Sequence, residues 1–204
     1  MYTCASCTIH ACKDPEHKDM PKNCPMRQEA LVEEAKAEYQ KPEVQKFFVT
    51  SSEIEHDGYC QWPRLKETMV FCKRMGYKKI GLGFCIGFAK EARIVADLFR
   101  NEGFTVVSAV CKSGGVDKTE AGIPDEKKLK PGQYEAMCNP ILQAKLLNEQ
   151  KTDFNIALGS AWAMTPCFTS IRRPGSRLWW SRTASWPTIR WEPSTVRTDI
   201  LRTV

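Results

Sequence analysis

Ten cysteines in 204 residues are the side chains of this sequence best able to do chemistry, and their spacing sorts them into groups. Cys4, Cys7, Cys12 and Cys24 fall within the first 26 residues in the order C-x2-C-x4-C-x11-C. A two-residue spacing lets one tight turn aim two thiolates at a single ion, and two more complete a tetrahedral site. The surrounding peptide, MYTCASCTIHACKDPEHKDMPKNCPM, is too polar to bury a core, so a bound metal is the expected source of its order. Zinc is the expected ion and an iron–sulfur cluster the alternative. Cys24-Pro25 resembles the Cys-Pro that closes some iron–sulfur motifs, although the spacing before it differs from the ferredoxin pattern. Unligated or redox-active thiols are the other reading of the quartet. His10 and His17 are substitute ligands, with an ordinary surface role the commoner outcome for each.

A second group is set by the elements that must carry it. The stretch KIGLGFCIG at 79–87 reads as a short buried strand and a glycine turn. Apolar residues at 88, 92, 95, 98 and 99 then recur at helical spacing. Cys85 is thereby expected at the carboxyl end of a strand, just before a helix N-terminus. In open α/β sheets that edge binds ligands, and helix N-terminal N–H groups favour a thiolate over a thiol. The alternative is a small cysteine packed among glycines. Cys111 ends a strand pattern at 104–110 as Cys85 ends the first, and Cys138 precedes a helix beginning near Pro140. The three are expected to meet at one sheet edge, as a second metal site or a thiol site.

The remaining elements follow from the same periodicities. Residues 27–76 read as helical: a Glu-, Ala- and Lys-rich helix over 27–40, a short helix from Pro42 through Phe47, Phe48 and Val49, and a helix over 64–75 opened by Pro63. Cys72 belongs in the core of that last helix, whereas Cys60 sits in a turn as a ligand or free thiol. Strands at 79–84, 104–110 and 154–159 alternate with helices at 88–101 and 139–149, which argues for a parallel sheet with right-handed crossovers. The polar loop 112–133 is expected to be a lid or disordered, with its charges solvated. Gly81, Gly83 and Gly87 are spaced G-x-G-x-x-x-G, which is not the dinucleotide fingerprint, and neither a P-loop nor H-E-x-x-H occurs.

The N-terminus has no apolar run suited to a signal peptide or membrane span. A cytoplasmic, reducing compartment is expected, where clustered cysteines bind metals or react more often than they form disulfides. The net charge of +6 is concentrated at one end: residues 160–204 carry +5 and residues 1–159 only +1. The nearly neutral body argues against a nucleic-acid face.

After Gly159 the composition changes abruptly. Five of the six tryptophans lie at 162, 179, 180, 186 and 191, no lysine follows Lys151, and no apolar period is present. Such a segment would expose tryptophans with no core to receive them, and disordered segments are normally poor in aromatics. A frameshift accounts for it better. Codons compatible with 160–168, reread one base earlier, permit an aliphatic, a cysteine, an aliphatic, then Gly, His and Asp. Those of 179–192 permit a run that contains VVKDRVLAHNPVG. On this reading the chain lacks its final strands and one member of the sheet-edge cysteine group.

At CASC (4–7), GFCIG (83–87) and VCKSGG (110–115) the sequence resembles a family of uncharacterised prokaryotic cysteine-rich proteins, described as a domain of unknown function or as metal-binding proteins. The likeness covers residues 1–159 and implies metal binding, with no substrate and no established reaction. The expected fold is α/β, a small three-layer parallel sheet with helices preceded by a cysteine-rich metal knuckle, with an irregular tail. The expected organisation is a metal-binding segment at 1–26, an α/β domain at 27–159 and an anomalous tail at 160–204. The expected function is metal binding through Cys4, Cys7, Cys12 and Cys24. Against it stands an iron–sulfur or thiol-based redox protein or enzyme using Cys85, Cys111 and Cys138.

Overall fold

The computed structural model describes residues 1–159 and the strand Arg177–Ser181. The chain forms two compact units, Met1–Asp57 and Gly58–Val204.

The first unit begins with 3-10 turns at Cys4–Ser6, Ala11–Lys13 and Pro25–Arg27, then continues as helices α1 (Glu29–Tyr39) and α2 (Pro42–Gly58). Helix α1 buries none of its residues and leaves Leu31 and Tyr39 exposed. The Tyr39 ring meets Phe48 of α2 at a centroid distance of 4.9 Å. Pro42 opens α2 at the first helical position, where a missing N–H costs nothing. Helix α2 is longer than the short helix expected from the sequence. It runs on through Thr50-Ser51-Ser52, where the Ser51 hydroxyl donates to the Phe47 carbonyl one turn back (2.8 Å). Thr50 and Ile54, four residues apart, are both buried.

The second unit is a parallel α/β domain. Helix α3 (Arg64–Met75) leads to β1 (Lys79–Phe84), α4 (Ala89–Asn101), β2 (Thr105–Val110), α5 (Pro140–Glu149), β3 (Phe154–Leu158) and β4 (Arg177–Ser181). The strand order is β2-β1-β3-β4, and every pairing is parallel. Gly81 lies opposite Val107 on one side and Asn155 on the other. Crossovers from β1 to β2 and from β2 back to β3 run in opposite senses, so right-handed connections put α4 and α5 on opposite faces. The result is three layers. On the α5 face, Val107 and Ala109 pack with Ala144, Leu146 and Leu147. Phe71 of α3 meets Phe154 with ring centroids 5.8 Å apart. Ile80, Leu82, Phe99, Leu147 and Ile156 are the largest fully buried apolar side chains.

Gly81 has a packing reason. A Cβ there would stand 2.0 Å from Asn155 Oδ1 and 3.1 Å from Leu147 Cδ1. Asn155 is itself buried, its Oδ1 accepting the Thr152 hydroxyl (2.8 Å).

Two expectations are corrected. The loop between β2 and α5 is an ordered, ion-paired structure, and its charges are not all solvated: the Lys128 side chain is 4% exposed and pairs with both Asp117 (3.2 Å) and Asp125 (2.9 Å). The tail is not irregular throughout, since Arg177–Ser181 pairs with β3. Otherwise the frameshift reading of 160–204 lies outside the described residues. No helix among the described residues is long and apolar enough to cross a membrane.

Candidate metal and thiol sites

In the first unit, the turn Cys4–Ser6 is closed by the Cys7 N–H donating to the Cys4 carbonyl (3.1 Å), which sets the two C-x-x-C thiols on one bend. Twenty residues later, Asn23 Nδ2 donates to Thr3 Oγ1 (2.6 Å) and ties the two strips of chain together. The Arg27 guanidinium holds the Met20 and Pro21 carbonyls at 2.8 and 3.0 Å. Cys4, Cys7 and Cys24 consequently line one cavity of about 190 Å³, along with Thr3, Asn23 and Pro25. Cys12 does not line it and is exposed on the turn Ala11–Lys13. His10 and His17 both have left-handed backbones, and His17 Nδ1 lies 3.2 Å from the Ala11 carbonyl. Among the described residues no three His, Cys, Asp or Glu side chains stand close enough together to hold an ion. What the cavity offers is soft sulfur donors on a short peptide with little apolar burial, a donor set suited to zinc or an iron–sulfur cluster.

In the second unit, the expected convergence at the sheet edge is present in the backbone. The Cys85 N–H donates to the Leu158 carbonyl (3.0 Å), and the Cys111 N–H to the Phe84 carbonyl (2.8 Å). Both cysteines thus extend the ladder by one residue past the strand ends. Strand β1 is flanked by β2 and β3, and the chain's direction across the sheet reverses there; such switch points bind ligands in α/β sheets. The Ile86 N–H donates to Cys111 Sγ (3.4 Å). Cys138 arrives through the loop: the Met137 N–H donates to the Val116 carbonyl (2.8 Å), and the Asn139 N–H donates to the Cys111 carbonyl (2.7 Å). Asn139 then caps α5, its Oδ1 accepting the Leu142 N–H (3.0 Å).

Electrostatics at this edge follow from burial. Cys111 is 6% exposed, and desolvation pushes its thiol up to about 11. The Ile86 N–H pulls the other way, while Cys138, hydrogen-bonded to it, and Cys85 push it further up. Cys72, fully buried in α3, is pushed up to about 12 by burial and then by the Asp153 charge. It belongs to the core, as its helical position implied. Cys60 is exposed, with a left-handed backbone, and among the described residues it belongs to no group of three side chains able to hold an ion.

Gln143 belongs to no motif in the sequence. It is buried in α5 and its Nε2 donates to the Phe84 (3.1 Å) and Ala109 (2.8 Å) carbonyls, satisfying acceptors where β1 and β2 end beside the cysteines. The available signal was a polar residue on the otherwise apolar stripe Leu142, Ala144, Leu146, Leu147.

Residues 24–162 match a family described as protein of unknown function (DUF1847). The chain belongs to this family. The match takes in Cys24, Cys85, Cys111 and Cys138, and starts after Cys4, Cys7 and Cys12. An uncharacterised protein of Methanocaldococcus jannaschii is 47% identical over 122 residues, which is 60% of this chain and 61% of that protein. The chain thus spans less than two thirds of that relative's length. No solved structure matches it.

Proposed function

We propose that this is a cytosolic metal-binding protein whose N-terminal cysteines hold a zinc ion. What carries the reading is the one cavity lined by Cys4, Cys7 and Cys24, two segments of chain separated by twenty residues and tied by Asn23 and Thr3. The three cysteines line the cavity but stand too far apart to hold an ion as they are, so they close on it as it binds. Cys12, on the neighbouring turn, is the fourth and is drawn in as the ion binds, because structural zinc sites of this size gain their order together with the metal. His10 and His17 are the substitutes if Cys12 does not serve. The partner is the metal ion, with neither a membrane nor nucleic acid involved.

The test is elemental analysis of the full chain purified without air. One zinc per chain is expected, with Cys4→Ser, Cys7→Ser and Cys24→Ser each lowering the content severalfold and Cys60→Ser leaving it unchanged. Zinc that persists in all three variants overturns the site. Visible colour with bound iron identifies the alternative, an iron–sulfur protein, and colour lost in Cys85→Ala but kept in Cys4→Ser moves the cluster to the sheet edge.

A further inference from the structure

The loop 112–138 leaves the sheet edge at Cys111 and returns to it at Cys138, and its base is clamped. Met137 and Lys118 N–H groups donate to the Val116 and Glu135 carbonyls, Lys112 Nζ to the Ala136 carbonyl, and Asn139 N–H to Cys111 itself. Beyond the clamp, Asp117 accepts from the Thr119 and Glu135 N–H groups and from Lys128. These contacts bring the backbones of two cysteines separated by 26 residues of chain together, the Asn139 N–H lying 2.7 Å from the Cys111 carbonyl. Cys138 is half-buried, whereas Cys111 is buried. Cys85 is close as well, but its side of the site meets Cys111 through the Ile86 N–H.

We propose that Cys111 and Cys138 form a reversible dithiol–disulfide pair that reacts with low-molecular-weight disulfides. This goes beyond the metal site and does not depend on it. In the first step, the Cys138 thiolate attacks one sulfur of the small disulfide, forming a mixed disulfide and releasing one thiol. In the second, Cys111 Sγ attacks Cys138 Sγ, forming the protein disulfide and expelling the second thiol. The two protons of the protein thiols end on the two released thiols, and the two electrons lost by the pair reduce the small disulfide. Of the pair, Cys138 is the entry sulfur because Cys111 is buried and Cys138 is not. The buried one resolves the adduct, with the Ile86 N–H stabilising its charge as it becomes the nucleophile.

The experiment treats the reduced full chain with excess oxidised glutathione, quenches it with acid, alkylates the remaining thiols and digests the denatured protein with trypsin. Tryptic peptides 101–112 and 129–145 each contain one cysteine. The expected product is these two peptides joined by a bond that dithiothreitol breaks. Cys111→Ser is expected to leave Cys138 carrying glutathione, and Cys138→Ser to abolish the link. The wild-type chain decides the matter even if a variant fails to fold. Across buffers of varied composition the ratio of linked to reduced protein should rise with oxidised glutathione and fall with the square of the reduced glutathione concentration, as an intramolecular disulfide requires, whereas a mixed disulfide falls with its first power. The proposal is overturned if both peptides are recovered alkylated while Cys60 is glutathionylated, if the link joins Cys85 to Cys111, or if the first power holds.

Discussion

Cys60 and Cys72 lie twelve residues apart and differ in what surrounds the sulfur. Cys72 is fully buried and its thiol is pushed up to about 12, so at about pH 8 only on the order of one part in ten thousand is thiolate. Iodoacetamide should therefore label Cys60 quickly and Cys72 only after denaturant is added, as read by peptide mass spectrometry; equal labelling in the native protein would remove Cys72 from the core. Gly81 makes a second case at this scale. Gly81→Ala puts a methyl into the buried Asn155 amide, which cannot move without giving up its hydrogen bond from Thr152. A loss of about 1–3 kcal/mol is expected in urea unfolding; Gly122→Ala, where nothing lies within 4 Å, should lose stability through its left-handed backbone alone.

At the scale of elements, the loop between β2 and α5 is the piece whose behaviour should depend most on pH. N–H groups of Thr119 and Glu135, then the Thr119 hydroxyl and Lys128, hold the Asp117 carboxyl well below the usual carboxylate range. A depressed folded value means that ionised Asp117 favours the closed loop at pH above the unfolded value, about 3.9, and that this is lost as pH falls through the lower folded value. The Asp117 carboxylate should thus titrate below about 3.9 by NMR, with the Thr119 and Glu135 amide shifts following the same curve. A midpoint at the ordinary value would deny the interaction. Asp117→Ala removes every one of these contacts at once. Trypsin should then cut after Lys118 and Lys127 far sooner than in the unaltered protein, while peptides from β1 and α4 remain protected.

At the scale of the whole molecule, the two units draw order from different sources. The parallel domain buries Phe99, Leu82, Ile80 and Leu147, so its order comes from apolar surface removed from water. The first 26 residues bury only Ala11 and rest on turns and polar ties. A strong chelator should accordingly speed proteolysis at Lys13, Lys18 and Lys22 and leave the fragment from α3 through β3 intact. Identical digestion with and without chelator would argue that the N-terminal segment owes nothing to a metal.

How much of this was legible in the sequence follows from the range of the forces involved. Strands β1, β2 and β3 and helices α3, α4 and α5 could be read within about a residue at each end, because apolar period and flanking glycine or proline are local signals. The length of α2 could not, because the polar run Thr50-Ser51-Ser52 carries no helical signal of its own, and the burial of Thr50 and Ile54 on one face is a matter of tertiary packing. The parallel alternation alone was enough to send Cys85 and Cys111 to one rim, since every strand of such a sheet ends on the same side. Which thiol touches which was a matter for the tertiary structure. Cys138 reaches Cys111 through a loop clamp, Gln143 spans two strand ends, and Lys128 is buried between two aspartates, all contacts between residues far apart in the chain or set by a fold of the loop that no spacing rule encodes.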